Sequence, residues 1–194
     1  MRIILASTSR YRQALLARLN MPFQGEAPQI VEERLPDESP AQMARRLSTE
    51  KARAVATRYS DSKSLIIGAD QVAAIGNHIL RKPGTTEKNL DVLRQLQGNW
   101  HTLYTAFTII NCFTLQHISH MVEARLLMRA GLTDAALLAY IEQDHPQDCA
   151  GGYKLECAGI SLFEQIMCED WTAIQGLPLM ALAHALRRQT AENA

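Results

Sequence analysis

Hydroxyl and cationic side chains follow a short apolar run at the N-terminus. Ser7, Ser9 and Arg12 lie just after residues 2–6, where a predicted strand leads into a predicted helix that begins at Arg10. The first backbone N–H groups of a helix have no partner within it, and the helix dipole is positive there, so this turn suits a phosphate group. The simpler interpretation is a helix cap with solvated arginines, since neither a P-loop nor a dinucleotide-binding glycine pattern is present.

Two acids and two lysines farther along the chain could bind a metal or move a proton. Asp70 follows a predicted buried strand, and ligands collect at the carboxyl ends of such strands. Asp70 is therefore a candidate base or metal ligand, although an aspartate that only forms a turn fits equally well. Glu32 lies in a polar segment, Lys51 in a predicted helix and Lys82 in a predicted loop. Taken singly, each of these three fits a solvated surface.

Composition excludes several classes of protein. The chain has 194 residues, of which 47% are hydrophobic and 21% charged, and its 20 Lys and Arg balance its 20 Asp and Glu. A net charge of zero argues against a broad basic surface for nucleic-acid polymers and against a polybasic membrane patch, but not against a small anionic ligand. The N-terminal apolar run is too short for a signal peptide, so the sequence predicts a cytoplasmic protein.

Membrane, disulfide, zinc and serine-hydrolase interpretations find no support in the sequence. Residues 99–122 carry no Lys, Arg, Asp or Glu, but their many Thr, His and Asn side chains indicate sheet interior rather than a membrane span. No GxSxG elbow occurs. The cysteines form no paired motif, are spaced too loosely for structural zinc and are predicted to be free thiols: Cys112, Cys149, Cys157 and Cys168.

Helices and strands alternate irregularly along the chain. Ser39 and Gln42 form a capping box at a helix start, and Gly76-Asn77 is typical of a tight hairpin turn. This order predicts one domain over residues 1–194, of the α/β or α+β class with a mixed sheet. The predicted strands are 2–6, 23–27, 64–70, 72–75, 78–80, 100–110 and 115–128, and the predicted helices are 10–19, 40–58, 86–97, 133–143 and 179–188.

Seven motifs follow one another along the chain: Leu5-Ala6-Ser7-Thr8-Ser9-Arg10-Tyr11-Arg12, an acid before the capped helix, Glu50-Lys51-Ala52, Gly68-Ala69-Asp70-Gln71-Val72, Lys82-Pro83, Gly152-Tyr153-Lys154-Leu155-Glu156 and Gly176-Leu177-Pro178-Leu179. Their order and spacing resemble those of the Maf family of nucleoside triphosphate pyrophosphatases. Each motif is weak by itself, whereas the ordered set is specific. The resemblance covers nearly the whole chain, from Ile3 to the last helix.

The resemblance implies a fold and a reaction. The expected fold is related to that of inosine triphosphatase-like enzymes: an elongated, twisted mixed sheet flanked by helices, with two lobes around a cleft, often in a homodimer. The expected reaction is attack of water on a nucleoside triphosphate, which releases a nucleoside monophosphate and pyrophosphate with Mg²⁺ or Mn²⁺. The family's site residues correspond here to Ser7, Ser9 and Arg12 for phosphate binding, to Glu32, Lys51 and Lys82 in the catalytic centre, and to Asp70 as proton acceptor.

Simple electrostatics agrees with those roles. A triphosphate is a polyanion, so catalysis consists mainly of positioning and charge neutralisation, to which Arg12, Lys51 and Lys82 contribute cations. Asp70 and Glu32 can each hold the metal, or orient and deprotonate water. Asp70 is the favoured base and Glu32 the favoured metal ligand, but the sequence leaves the two assignments interchangeable.

Besides Tyr11, where many members have arginine, four positions depart from the family pattern. Arg10 stands where proline is usual and Arg81 where glycine is common, and both are expected to add phosphate contacts. Val31 stands where a second acid commonly precedes Glu32, which removes a possible extra metal ligand and leaves the metal affinity open. Cys157 replaces a frequent glycine.

Three further positions separate subfamilies by substrate. Tyr11, Gln71 and Glu156 resemble the subfamily that acts on 7-methyl-GTP, whereas members that act on dTTP and UTP tend to have Arg, Thr and Gln. N7-methylated guanine is cationic, so it gains about 0.5–2 kcal/mol by stacking on an aromatic ring such as Tyr11. A Glu156 carboxylate can accept both guanine N–H donors, and a pyrimidine would leave it poorly paired. Packing of Tyr11 and solvation of Glu156 are the plainer alternative.

The expected function is hydrolysis of 7-methyl-GTP to 7-methyl-GMP and pyrophosphate, which removes a modified nucleotide from the cellular pool. One alternative is a pyrophosphatase for dTTP, UTP or other modified nucleotides. The other is a nucleotide-binding regulator of septum formation with little catalysis, although two carboxylates beside an anionic substrate favour an enzyme. Neither a nucleic-acid polymer nor a membrane is expected as a partner.

Overall fold

Helices pack on a mixed sheet in the computed structural model, which describes residues 1–59 and 63–191. The strands are β1 (Arg2–Ala6), β2 (Phe23–Gly25), β3 (Ser64–Ile75), β4 (His78–Leu80), β5 (Trp100–Asn111), β6 (His117–Met128) and β7 (Phe163–Met167). The helices are α1 (Arg10–Ala17), α2 (Pro40–Ala56), α3 (Thr86–Leu96), α4 (Asp134–Asp144), α5 (Trp171–Ile174) and α6 (Leu179–Ala191). Short 3-10 turns occupy Thr57–Tyr59, Ala150–Gly152 and Ala158–Leu162.

Parallel and antiparallel pairs occur in the same sheet. In the described part of the chain, seven strands form a sheet with the order β2-β1-β3-β5-β6-β7, and β4 pairs with β3. β1 is parallel to both of its neighbours, so that Ile4 lies opposite Gln24 of β2 and Ile66 of β3. β4 is antiparallel to β3, and β7 is antiparallel to β6. The predicted mixed α/β class is confirmed.

The chain divides into two compact units. Unit 1 contains Met1–Gln71, Thr105–Val122 and Asp170–Ala194, and unit 2 contains Val72–Tyr104 and Glu123–Glu169. Strands β3, β5 and β6 each contribute one part of their length to unit 1 and the other part to unit 2. Most of the predicted site residues therefore belong to unit 1, whereas the loop after β4 and the segment before β7 belong to unit 2.

Both faces of the sheet in unit 1 are covered by apolar side chains. Ile3 of β1 belongs to a cluster with Leu15 of α1, while its neighbour Ile4 belongs to a second cluster with Val55 of α2. Successive residues of a strand point to opposite faces, so a strand covered on both faces is apolar throughout. The prediction of a buried strand at residues 2–6 is confirmed for this reason.

The predicted helix starts are confirmed by their hydrogen bonds. Ser9 Oγ accepts from Arg12 N at the start of α1, and Ser39 completes a capping box with Gln42 at the start of α2. Both helices end about two residues earlier than predicted. The reason is local, because α1 closes with i→i+3 bonds and α2 continues as a 3-10 turn, the tighter geometry common at helix ends.

β3 is longer than predicted, and two short elements were missed. The strands predicted at 64–70 and 72–75 form one strand of 12 residues, because pairing with β1 and then with β4 keeps the backbone extended. The predicted hairpin turn is confirmed, with Gly76 at a φ of 56°. α5 and β7 have four and five residues, which is too short for a hydrophobic period to show.

Buried polar contacts support the turn around Gly152 in unit 2. Asn89 Nδ2 donates a hydrogen bond to the Gly152 carbonyl at 2.9 Å, and His101 Nε2 lies 2.7 Å from the Tyr153 hydroxyl. Burial lowers the pKa of His101 to about 4, so the imidazole is neutral at physiological pH. These contacts hold the segment that leads to Glu156.

All four cysteines lie in the described part of the chain, and none of them forms a disulfide bond, as predicted. The charge-free stretch at residues 99–122 forms β5 and the start of β6, as predicted. Within residues 1–59 and 63–191, no helix has the length and apolarity that crossing a membrane requires.

Gly68 allows α2 to contact β3 closely. A Cβ added to Gly68 would lie 2.1 Å from Ser48 O and 2.5 Å from Ala52 N, both of them backbone atoms of α2. A glycine inside a strand often marks such an approach of two backbones. Since Lys51 lies on this turn of α2 and Asp70 follows Gly68 by two residues, the same contact places Lys51 beside Asp70.

Gly68→Ala should lower the free energy of unfolding by about 1–3 kcal/mol, because the added methyl group overpacks two backbones. Urea denaturation measures the loss. Gly25→Ala is the matched control, since its added Cβ would meet the flexible end of Gln13 at 2.8 Å rather than backbone. Equal losses in the two variants would contradict the role assigned to the close contact.

Candidate functional site

A buried ion pair joins α2 to β3. Lys51 Nζ lies 2.6 Å from Asp70 Oδ1, and the two residues are only 4% and 5% exposed. The interpretation of Lys51 as a solvated helix residue is therefore wrong. Asp70 lies within β3 rather than after the end of a strand, so its interpretation as a turn-forming residue is wrong as well. An ion pair this deeply buried persists only when each charge has its partner, so the two side chains form one unit.

Glu32 brings a second carboxylate to the same ammonium group. Its Oε1 lies 2.8 Å from Lys51 Nζ, while its side chain is 53% exposed. Burial raises the pKa of the Asp70 carboxyl, and the charges of Lys51 and Arg12 oppose that rise. The structure thus brings together one buried and one exposed carboxylate on a shared cation. A buried carboxylate with a raised pKa suits a proton acceptor.

The turn between β1 and α1 has the predicted hydroxyl groups and arginine in place. The Ser7 hydroxyl accepts a hydrogen bond from Ser9 N at 3.1 Å, and Ser9 Oγ caps the helix through Arg12 N at 3.4 Å. Arg12 Nε donates to the Gly176 carbonyl at 3.0 Å, which fixes the guanidinium from the side of the α5–α6 loop. The turn therefore offers a helix N-terminus and a positioned cation, which together suit a phosphate group.

Gln71 has its amide nitrogen committed to the protein. Nε2 lies within hydrogen-bond distance of Thr105 Oγ1 at 3.0 Å, the Ala173 carbonyl at 2.8 Å and the Ile174 carbonyl at 3.0 Å. The sequence did not reveal these partners, because two of them belong to the short helix α5. With its N–H groups engaged, Gln71 has its carbonyl oxygen left to offer a ligand, as an acceptor only.

Arg10 contacts the ring of Tyr11. The guanidinium carbon lies 4.9 Å from the ring centroid, and Arg10 Nη2 donates to the Tyr11 hydroxyl at 2.8 Å. The ring of Tyr11, which is predicted to stack on a cationic base, thus already contacts the Arg10 cation. A contact of Arg10 with phosphate stays a prediction.

Lys82 and Glu156 belong to unit 2, where both side chains are exposed. Lys82 lies in the loop after β4, and the backbone of that loop is held by a bond from Gly84 N to the Gln147 carbonyl. Exposure leaves both side chains available to a ligand, but it is equally what the plainer, solvated interpretation expects. Their roles in catalysis and base recognition stay predictions.

A buried acid in the segment between Glu32 and α2 was not predicted from the sequence. Glu38 is 8% exposed. Its carboxylate accepts two hydrogen bonds from Arg46 of α2, one from Nε at 2.6 Å and one from Nη2 at 2.8 Å. The hydrogen bond from Arg46 lowers the pKa of Glu38 and outweighs the opposing effect of burial. No sequence pattern predicts this pair. Glu38 lies before the start of α2 and Arg46 within it, so the helical period does not relate the two residues.

The carboxylates can be tested for their fit to a divalent metal. Within the described residues, no group of three or more His, Cys, Asp or Glu side chains gathers as a metal cage. Asp70 and Glu32 nevertheless converge on one cation. Mg²⁺ is typically held by one or two carboxylates together with substrate phosphates, so the donor set fits a metal that arrives with a nucleotide.

The chain is similar to several known proteins. A family profile described as Maf-like protein matches residues 2–189. A 7-methyl-GTP pyrophosphatase of Aromatoleum aromaticum is 41% identical over 188 residues, which cover 97% of this chain and 95% of the relative. A protein of the same name from Thiobacillus denitrificans is 43% identical over 187 residues, covering 96% and 92%. The structure of the Staphylococcus aureus Ham1 protein has a TM-score of 0.48 at 12% identity, covering 69% of this chain and 74% of that one.

Lys51→Met should lower the free energy of unfolding by about 3–5 kcal/mol at neutral pH, because it leaves Asp70 buried without its cation. Combining it with Asp70→Asn should recover part of that loss, since no buried charge then remains. Chemical denaturation measures both variants. The exposed Lys88 provides the matched control, and Lys88→Met should change stability by less than about 0.5 kcal/mol. A Lys51→Met variant as stable as the parent protein would contradict the pairing.

Proposed function

The chain belongs to the Maf family, and we propose that it is a nucleoside triphosphate pyrophosphatase that hydrolyses 7-methyl-GTP to 7-methyl-GMP and pyrophosphate. The observation that carries this proposal is its identity of 41% and 43% to relatives with that name, over nearly the whole of each chain. The ion-paired centre of Lys51, Asp70 and Glu32 supports a hydrolytic role. The reaction removes a modified nucleotide from the cellular pool.

Phosphate binding is proposed for the turn between β1 and α1. The helix N-terminus there supplies backbone N–H groups, and Arg12 supplies a cation that the Gly176 carbonyl orients. Ser7 and Ser9 shape the turn and add hydroxyl groups. Lys82 is proposed to neutralise further phosphate charge. These groups bind and orient the triphosphate, which is the larger part of catalysis in phosphate chemistry.

Proton transfer is proposed for Asp70. Hydrolysis adds water across the anhydride bond between the α and β phosphates, and the attacking water must lose a proton. Asp70 accepts that proton, and burial favours its protonated form. Lys51 stabilises the carboxylate before the transfer, and Glu32 at 2.8 Å keeps the ammonium paired after it. The shared cation thus limits the electrostatic cost of changing the charge on Asp70.

A divalent metal is proposed as cofactor, either Mg²⁺ or Mn²⁺. Asp70 and Glu32 are the residues that would hold it, with the remaining ligands coming from phosphate and water. When bound, the metal supplies neutralisation of phosphate charge and a lower pKa for water.

Removal of divalent ions with EDTA should abolish pyrophosphate release, and addition of Mg²⁺ or Mn²⁺ should restore it.

Base recognition is proposed for Tyr11, Gln71 and Glu156. The ring of Tyr11 attracts the Arg10 guanidinium, and the cationic ring of 7-methylguanine would compete for the same face. Gln71 offers an acceptor oxygen, and Glu156 offers two more. Guanine presents N–H donors to such acceptors, so the set favours this purine over pyrimidines.

The proposed partner is the free nucleotide rather than a nucleic-acid polymer or a membrane, in keeping with a net charge of zero. Because free nucleotides belong to the cytoplasmic pool, the cytoplasm is the proposed place of action. The homodimer that the family resemblance implies stays a prediction.

Purified protein with Mg²⁺ should release pyrophosphate from 7-methyl-GTP faster than from GTP, dTTP and UTP. Asp70→Asn should lower kcat at least about 100-fold while the circular dichroism spectrum is kept, because the proton acceptor is lost. A preference for dTTP or UTP would overturn the assigned substrate. Turnover that survives Asp70→Asn would remove Asp70 as the base.

Tyr11→Leu should lower kcat/KM for 7-methyl-GTP by about 2- to 30-fold relative to GTP, the equivalent of 0.5–2 kcal/mol of cation–π stabilisation. Tyr11→Phe keeps the aromatic face and should retain most of the preference. The two substrates are compared in competition with the same enzyme. If Tyr11→Leu lowers the rates of both equally, Tyr11 has only a packing role.

A further inference from the structure

The segment that carries Glu32 has no regular structure of its own. Residues 27–37 form neither helix nor strand, and the Glu32 side chain is half exposed. An irregular segment of this length has many accessible conformations, so its ordering must come from contacts outside it. The position of Glu32 relative to Lys51 therefore depends on what fastens this segment to α2.

We propose that Arg46 is a positioning residue for Glu32, an inference that rests on the proposed pyrophosphatase function. One nitrogen of its guanidinium, Nη2, donates both to the Glu33 carbonyl at 2.8 Å and to Glu38 Oε2 at 2.8 Å. Nε donates to Glu38 Oε1 at 2.6 Å. Glu33 directly follows Glu32 in the chain, so Arg46 holds the backbone beside Glu32.

Two further bonds tie the end of the segment to Glu38, one to its carboxylate and one to its backbone carbonyl. Leu35 N donates to Glu38 Oε2 at 3.1 Å, and Arg34 Nε donates to the Glu38 carbonyl at 2.7 Å. A buried carboxylate that accepts from a guanidinium and a backbone N–H is held far more rigidly than an exposed ion pair. Removing Arg46 would leave that buried carboxylate without its main partner and release the segment.

Helix α2 carries both of the cationic side chains in this arrangement. Arg46 and Lys51 belong to the same helix, whose start is fixed by a capping box and whose middle is held against Gly68. One rigid element thus carries the ammonium group and the guanidinium that places Glu32 next to it. This geometry separates Arg46 from the other arginines of α2, such as Arg45, which is exposed.

Hydrogen exchange measured by mass spectrometry on the full chain without substrate gives the first test. Arg46→Met should speed exchange in the peptide that contains the Leu35 amide at least about tenfold, because that amide loses its rigid acceptor. Arg45→Met makes the same chemical change one residue away and should leave the peptide unchanged. Unaltered exchange in Arg46→Met would overturn the inference.

Kinetics with 7-methyl-GTP gives the second test. Arg46→Met should lower kcat about 10- to 100-fold, as loss of a supporting partner commonly does, with KM changed less than about threefold. In a Glu32→Gln background the same change should lower kcat less than about twofold, because the side chain that Arg46 positions no longer acts. An equal fall in both backgrounds would assign Arg46 a general structural role and overturn the inference.

Two variants keep the tests decisive. If Arg46→Met does not fold, two milder variants replace it. Arg46→Lys retains the positive charge but loses the paired hydrogen bonds to the Glu38 carboxylate, and Glu38→Gln removes the carboxylate charge. Both should give the same pattern in weaker form, and a pattern independent of Glu32 would overturn the inference. If the parent protein releases no pyrophosphate from any nucleotide, the proposed function fails, and the exchange measurement alone decides whether Arg46 holds the segment.

Discussion

The ammonium group of Lys51 lies buried between two carboxylates, and the rest of the site is arranged around that charge. Asp70 is 5% exposed and needs a cation at contact distance to stay ionised, while Lys51 at 4% exposure needs Asp70 for the same reason. With Glu32 the group holds one positive and two negative charges, a net charge of −1. A polyanionic substrate can approach such a centre only with additional cations, which is why Arg12 and a divalent metal belong to the proposed mechanism.

One helix brings these charges together. α2 can lie against β3 because Gly68 has no side chain. This close contact brings Lys51 of the helix within ion-pair distance of Asp70 of the strand. The same helix holds the irregular segment before it through Arg46, so that Glu32 also contacts the ammonium group. Placing both groups on a rigid, capped element keeps a centre of mixed charge ordered.

Locally encoded features were predicted well. The capping box at Ser39, the buried strand β1 and the turn at Gly76 depend on residues within a few positions of one another, and all three are confirmed. The continuity of β3 and the existence of α5 were not predicted, because pairing with distant strands and packing in unit 1 decide them. Likewise, the pairing of Arg46 with Glu38 was not predicted, since the two residues lie on either side of the helix start and carry no sequence signal.

The family, the mixed α/β class and the candidate residues could all be predicted from the sequence. Motif order can be read directly along the chain, and hydrophobic period and capping chemistry depend on neighbouring residues. Which of the candidates meet depends instead on the tertiary structure. Lys51 and Asp70 are 19 positions apart, and nothing local distinguishes this lysine from a solvated one. Burial supplied the distinction, because a charge removed from water must find its counter-charge within the fold.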